Sequence, residues 1–107
     1  MTDKVVVYVT SGNAAESKKI ARALVEKRLA ACVNVIPKVR SFYRWKGKIH
    51  DDPEYLMVVK TSRSLFPAVR AEVERLHTYH VPELICLPIV AGSENYLAWL
   101  DECLKRD

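Results

Sequence analysis

Apolar positions along the chain alternate between a two-residue and a three-to-four-residue rhythm, and each change of rhythm marks an element boundary. Val5–Thr10 is a short β-branched run and predicts a first strand. Asn13 followed by Glu16 has capping-box spacing. Ile20, Ala21, Leu24 and Val25 then recur at helical spacing, so a first helix is predicted to run to about Arg28. LAACVNVIPKVRSFYRW reads as a second strand, which Pro37 must break with a bulge or bend because it donates no ladder hydrogen bond. Beyond Pro37, Val39, Tyr43 and Trp45 share one parity, and Lys38, Arg40, Arg44 and Lys46 the other, so the basic residues line one face of a strand. The chain is expected to turn at Gly47 and return as a third strand over Tyr55–Thr61, making a long hairpin. Ser62 and Ser64 are candidate caps of a second helix, with Pro67 in its first turn and Leu65, Val69, Val73 and Leu76 as its apolar stripe. PELICLPIV is a fourth strand interrupted by Pro88. Gly92-Ser93 opens a last helix striped by Tyr96, Leu97, Leu100 and Leu104.

The order β-α-β-β-α-β-α, with right-handed crossovers, predicts an α+β, ferredoxin-like antiparallel sheet of order 4-1-3-2, one face covered by two helices. VVVYV and LICLPIV do not alternate apolar with polar, as strands do when one face is wet. The second face therefore needs a cover. Another copy of the chain, joining edge strand two to edge strand four in a closed heterologous ring, is the simplest one.

The chain has 107 residues, enough for one domain spanning 1–107. Its apolar runs fall far short of the roughly 20 residues of a membrane helix, and no signal peptide is read, so a cytoplasmic location without membrane partners is expected. Cys32, Cys86 and Cys103 form no CxxC pair and no even set, which argues against a disulfide framework. The net charge is +4, and from Lys27 to His50 there are seven Lys/Arg residues and no acid. Phe42, Tyr43 and Trp45 lie among them. Basic plus aromatic is the composition of a nucleic-acid or anionic-ligand surface, but a single solvated strand face is the favoured reading, and no nucleic-acid partner is expected.

EKRLAACVNVIP, SFYRWKGKI, VVKT, HTYHVPELICLPI and NYLAWL, in this order and spacing, resemble the CutA family of divalent-cation-tolerance proteins over nearly the whole chain, from Val5 to Leu104. The resemblance implies a ferredoxin-like subunit, a tight homotrimer with an architecture similar to the nitrogen-regulatory PII proteins, and a part in tolerance of copper and other divalent ions. It implies no settled catalytic activity, and no nucleophile–base pair is visible, so a non-enzymatic protein is expected. No cofactor is obligatory; copper or another divalent cation is the implied ligand.

The family usually reads His-Pro-Tyr-Glu/Gln-x-Pro-Glu where this chain has HTYHVPE. His77, Tyr79, Pro82 and Glu83 match, while Thr78 and His80 depart. Copper-binding members place a cysteine at the position of Val9 and a second histidine at that of Leu76, so of that set only His77 remains. The expected metal contacts are His77 first, then His80 as a replacement nitrogen donor, Glu83 as a hard ligand and Cys32 as a soft one. Against these stand a histidine that finishes a helix end, an ion-paired glutamate and a core cysteine. Lys60, Trp45 and Tyr79 are the candidates for an intersubunit ligand cleft. An ammonium at Lys60 needs a partner, either Glu54 or Glu83 or an anionic ligand. The alternative to metal tolerance is thus a PII-like signalling module that binds a small anionic effector.

Overall fold

The computed structural model describes residues 2–106. Strands β1 (Lys4–Ser11), β2 (Cys32–Trp45), β3 (Lys48–Ser62) and β4 (Ile85–Pro88) form one antiparallel sheet of order β2-β3-β1-β4. This is the predicted order read from the other edge. Helices α1 (Ala14–Glu26) and α2 (Phe66–Leu76) follow β1 and β3, and α3 (Glu94–Cys103) closes the chain.

The pairing register sorts the strand residues into two faces. Val5, Val7 and Val9 of β1 stand opposite Thr61, Val59 and Met57 of β3, all buried, and with Ile20, Leu24, Val69 and Val73 of the helices they form the core. On the other face Val6 and Tyr8 pair with Lys60 and Val58, and with Leu87 and Ile85. Ile36 joins them across Leu56. Val6, Tyr8, Leu56 and Val58 are half-buried, and Ile36, Ile85 and Leu87 are exposed within the single chain. The non-alternating strands thus carry a real second apolar face.

Several local expectations hold and others need correction. Pro37 does break the ladder: the β2–β3 register shifts between Ile36 and Val39, and Lys38 takes φ 61°. Lys46 and Gly47 both have positive φ and turn the hairpin. The hairpin is longer than predicted at β3, which begins at Lys48 and not at Tyr55. Only Tyr55–Ser62 pair with β1, so the distal part is a two-stranded ribbon that stretches the molecule to 44 Å. The fourth strand is shorter than PELICLPIV suggests, since it pairs with β1 only from Ile85 to Pro88. Ser62 and Ser64 do not cap α2. Their hydroxyls bond each other, and a 3-10 turn, Arg63–Leu65, leads into the helix. Asn13 does cap α1, its Oδ1 accepting the Glu16 N–H at 2.7 Å, but Glu16 does not reach back to complete the box.

Helix α1 ends at Glu26, before the predicted Arg28. Arg28 has φ 59°, a left-handed conformation usually left to glycine. The backbone forms the paired bonds of a Schellman motif, Leu29 N–H to Leu24 and Arg28 N–H to Val25. The arginine is explained by its side chain, which donates to the carbonyls of Glu102 and Cys103 at the end of α3, where a cation is favoured. Arg28→Gly and Arg28→Ala should both lose that tie. The glycine variant should be the more stable by about 1 kcal/mol, because it alone sheds the backbone strain; equal urea midpoints would contradict this.

A second tie joins the helices. Glu72 on α2 is buried and accepts from Arg75 at 2.7 Å and from Lys27, just past α1, at 2.9 Å. The Arg75 and Lys27 hydrogen bonds hold its carboxyl below the usual 4.5, at about 2. Because the folded value is the lower one, the stabilisation is present above pH 4.5 and is lost as pH falls toward 2. Both cations are about half exposed, so solvent screening trims the effect to about 1–2 kcal/mol. Glu72→Gln should cost that much at pH 7, and the two proteins should melt together near pH 2; a gap that persists in acid would contradict the assignment.

Candidate functional site

The segment after α2 folds back beneath the root of the hairpin, and His77 fastens it there. Its side chain is fully buried. Nε2 lies 2.6 Å from the Thr10 carbonyl, which can only accept, so the proton sits on Nε2. Nδ1 then holds the one lone pair, and it accepts the Tyr79 N–H at 3.0 Å. Glu16 holds the same loop through Thr78, whose N–H donates to Oε1 at 2.8 Å. The lone pair a metal would need is already used, so in this structure His77 acts as an internal fastener.

The fastened loop carries Tyr79 to the point where β3 parts from β1. Gly12 makes room for it, since a Cβ there would lie 2.9 Å from the Tyr79 hydroxyl. That hydroxyl donates to Glu54 Oε2 at 2.7 Å. Burial, the Glu54 bond and nearby negative charge push the phenol well above its ordinary range, so it remains a donor. Glu54 is 6% exposed and, among the described residues, has no basic partner.

Between this loop and the ribbon lies a cleft of about 620 Å³. The hairpin supplies Ser41, Phe42, Tyr43, Trp45 and Glu54; the loop supplies Tyr79, His80, Val81 and Glu83; Thr10 closes the end. Thr10 and Glu54 stand on the strand face opposite the helices, so the cleft continues the second apolar face. Burial and the Glu54 charge raise the Glu83 carboxyl above its usual value. Tyr43 donates to Asp52 at 2.6 Å and stacks on His50, which steadies the ribbon wall.

The sequence candidates therefore divide. Trp45, Tyr79, His80 and Glu83 meet in one cleft. Lys60 does not line it: it stands six residues along β3 from Glu54, roughly 20 Å, and its ammonium bonds Asn34, so neither Glu54 nor Glu83 is its partner. Cys32 pairs with Lys60 in the register and is equally remote, with Cys86 on the opposite edge strand. Glu54 and Gly12 were not singled out as cleft residues from sequence. The available signal was an acid that follows Pro53 and immediately precedes the mainly apolar run Tyr55–Val59 of a strand. Among the described residues no three His, Cys, Asp or Glu side chains converge as a metal site would require. On the basic hairpin face Arg40 is paired with Asp51 at 2.8 Å.

The profile of the CutA1 divalent ion tolerance protein matches residues 5–103. The chain belongs to the CutA1 family. It is 52% identical to mouse Protein CutA over 89% of its own length but only 54% of that protein, so it spans about half the length of the mammalian relatives it matches. It is 47% identical to the divalent-cation tolerance protein CutA of Thermus thermophilus over 91% of this chain and 94% of that one. The solved Thermus structure superposes with a TM-score of 0.93 over 95% of this chain and 99% of the other, at 45% identity. The Archaeoglobus fulgidus structure, described as a periplasmic divalent cation tolerance protein, gives 0.92 at 40% identity over 95% of this chain and 99% of that one. No helix among the described residues is long and apolar enough to cross a membrane.

Proposed function

We propose that this CutA1 member is a non-enzymatic, cytoplasmic protein that contributes to tolerance of divalent metal ions and works as a homotrimer of ferredoxin-like, PII-like subunits. The names of its relatives in Thermus and Archaeoglobus carry the tolerance reading. The βαββαβ order, the uncovered apolar face and the unsupported ribbon support the assembly, since a two-stranded ribbon is marginal by itself. The serine and threonine hydroxyls lining the cleft, Ser41 and Thr10, have no histidine or carboxylate partner among the described residues, which suits a binding role over a hydrolytic one.

Direct contact with copper or a similar ion rests on His80 with Glu83 beside it, both at the cleft. Two donors are half of a closed four-ligand site, so binding is weak. The test joins a cell and a solution measurement. A host without its own CutA, expressing this chain, should grow at higher copper(II) than the empty host. Copper titration should show affinity that falls further in His80→Ala. Equal growth of the two strains would sink the tolerance reading, and unchanged affinity in His80→Ala would remove the contact.

A further inference from the structure

The cleft carries more negative charge than the proposed His80–Glu83 metal contact uses. Glu54 and Glu83 both face it, and among the described residues neither has a lysine, arginine or histidine within ion-pair distance. Glu54 is nearly enclosed; among the described residues its hydrogen bond comes from the Tyr79 hydroxyl to Oε2, while Oε1 keeps some accessible surface and is free to accept. An acceptor oxygen left open at the edge of an otherwise enclosed site suits a positive group that donates to it.

The walls say what kind of cation fits. Phe42, Trp45, Tyr43 and Tyr79 present aromatic rings around the two acids, and Trp45 and Tyr79 remain 45% and 39% exposed. Aromatic faces attract an ammonium electrostatically while packing on the apolar body attached to it. A volume of about 620 Å³ is that of a small-molecule site. It is far larger than a bare ion needs, and the acids supply too few oxygens to close around a hard divalent cation.

We infer that this cleft binds a small organic ammonium, its charged head between the Glu54 and Glu83 carboxylates and its apolar body against Phe42 and Trp45. This goes beyond metal tolerance and reverses the charge expected of an anionic effector. A primary amine places its three N–H donors where Glu54 Oε1 and the Glu83 carboxylate accept, while the Tyr79 hydroxyl keeps Glu54 in place.

The test is calorimetric titration of the full chain, in its native assembly and stripped with EDTA so that metal plays no part. The probes are phenethylamine, phenethyl alcohol and phenylacetate, which share a ring and differ in charge. Phenethylamine should bind with a Kd of about 1 mM or tighter, and the neutral and anionic probes at least about tenfold more weakly, the ratio a lost charge-assisted bond gives. Glu83→Gln, which keeps the size and shape of the side chain and removes its charge, should weaken the amine about tenfold. Trp45→Leu should weaken amine and alcohol together. The inference is overturned if the amine gives no heat, as it would if a basic side chain of a second copy already filled the cleft. It is equally overturned if phenylacetate binds as well as the amine, or if Glu83→Gln leaves amine affinity unchanged. Because metal is absent, none of these results depends on the tolerance reading.

Discussion

His77→Ala will lower folding stability by about 2–4 kcal/mol and leave copper(II) affinity and stoichiometry unchanged. The stability figure joins the loss of a fully buried ring to two stranded backbone groups. The Thr10 carbonyl loses its donor at 2.6 Å and the Tyr79 N–H its acceptor at 3.0 Å. Each orphaned group costs about 1–3 kcal/mol, and the cavity adds to it unless water enters. The copper result follows from the tautomer, because with the proton on Nε2 the only lone pair is already engaged. The damage should spread locally, since Tyr79 would lose its position over Gly12 and with it the bond to Glu54. Urea denaturation and a copper titration of the folded variant check both halves. A variant that unfolds with the wild type yet loses copper would restore the ligand role and refute the internal one.

Ile36→Asp and Leu87→Asp are expected to break the proposed trimer while leaving each subunit folded. Within one chain Leu87 is 38% and Ile36 43% exposed, on opposite edge strands but on the same sheet face. On a monomer such surface changes stay within about 0.5 kcal/mol. Between copies, a carboxylate pressed into an apolar contact without a partner costs several kcal/mol and should dissociate the ring. At micromolar concentration, sedimentation of the wild type should show one trimeric species and the variants lighter ones. Trp45→Asp should weaken association less, because that side chain borders the cleft at the end of the face. A well-folded wild-type monomer, or variants that sediment with the wild type, would refute the proposed contact.

Helix periodicity, β-branched runs and proline and glycine punctuation are local chemistry, and by themselves they determined the element order, the sheet order, the bulge after Pro37, the turn at Gly47 and the existence of a second apolar face. The family blocks added the CutA1 assignment. Register and close approach were decided only in three dimensions. The length of β3 depends on its pairing with β2, so the alternation of Tyr55–Thr61 understated it. Arg28 tolerates a left-handed backbone because the end of α3 happens to face it. Lys60 and Trp45 look alike in sequence as cleft candidates, yet a strand advances about 3.3 Å per residue and carries them to different parts of the sheet. His77 could read as a ligand only while its neighbours were unknown. A histidine is free to bind or bound to its own chain according to where a carbonyl and an amide from distant segments fall, and Thr10 lies 67 positions away in sequence.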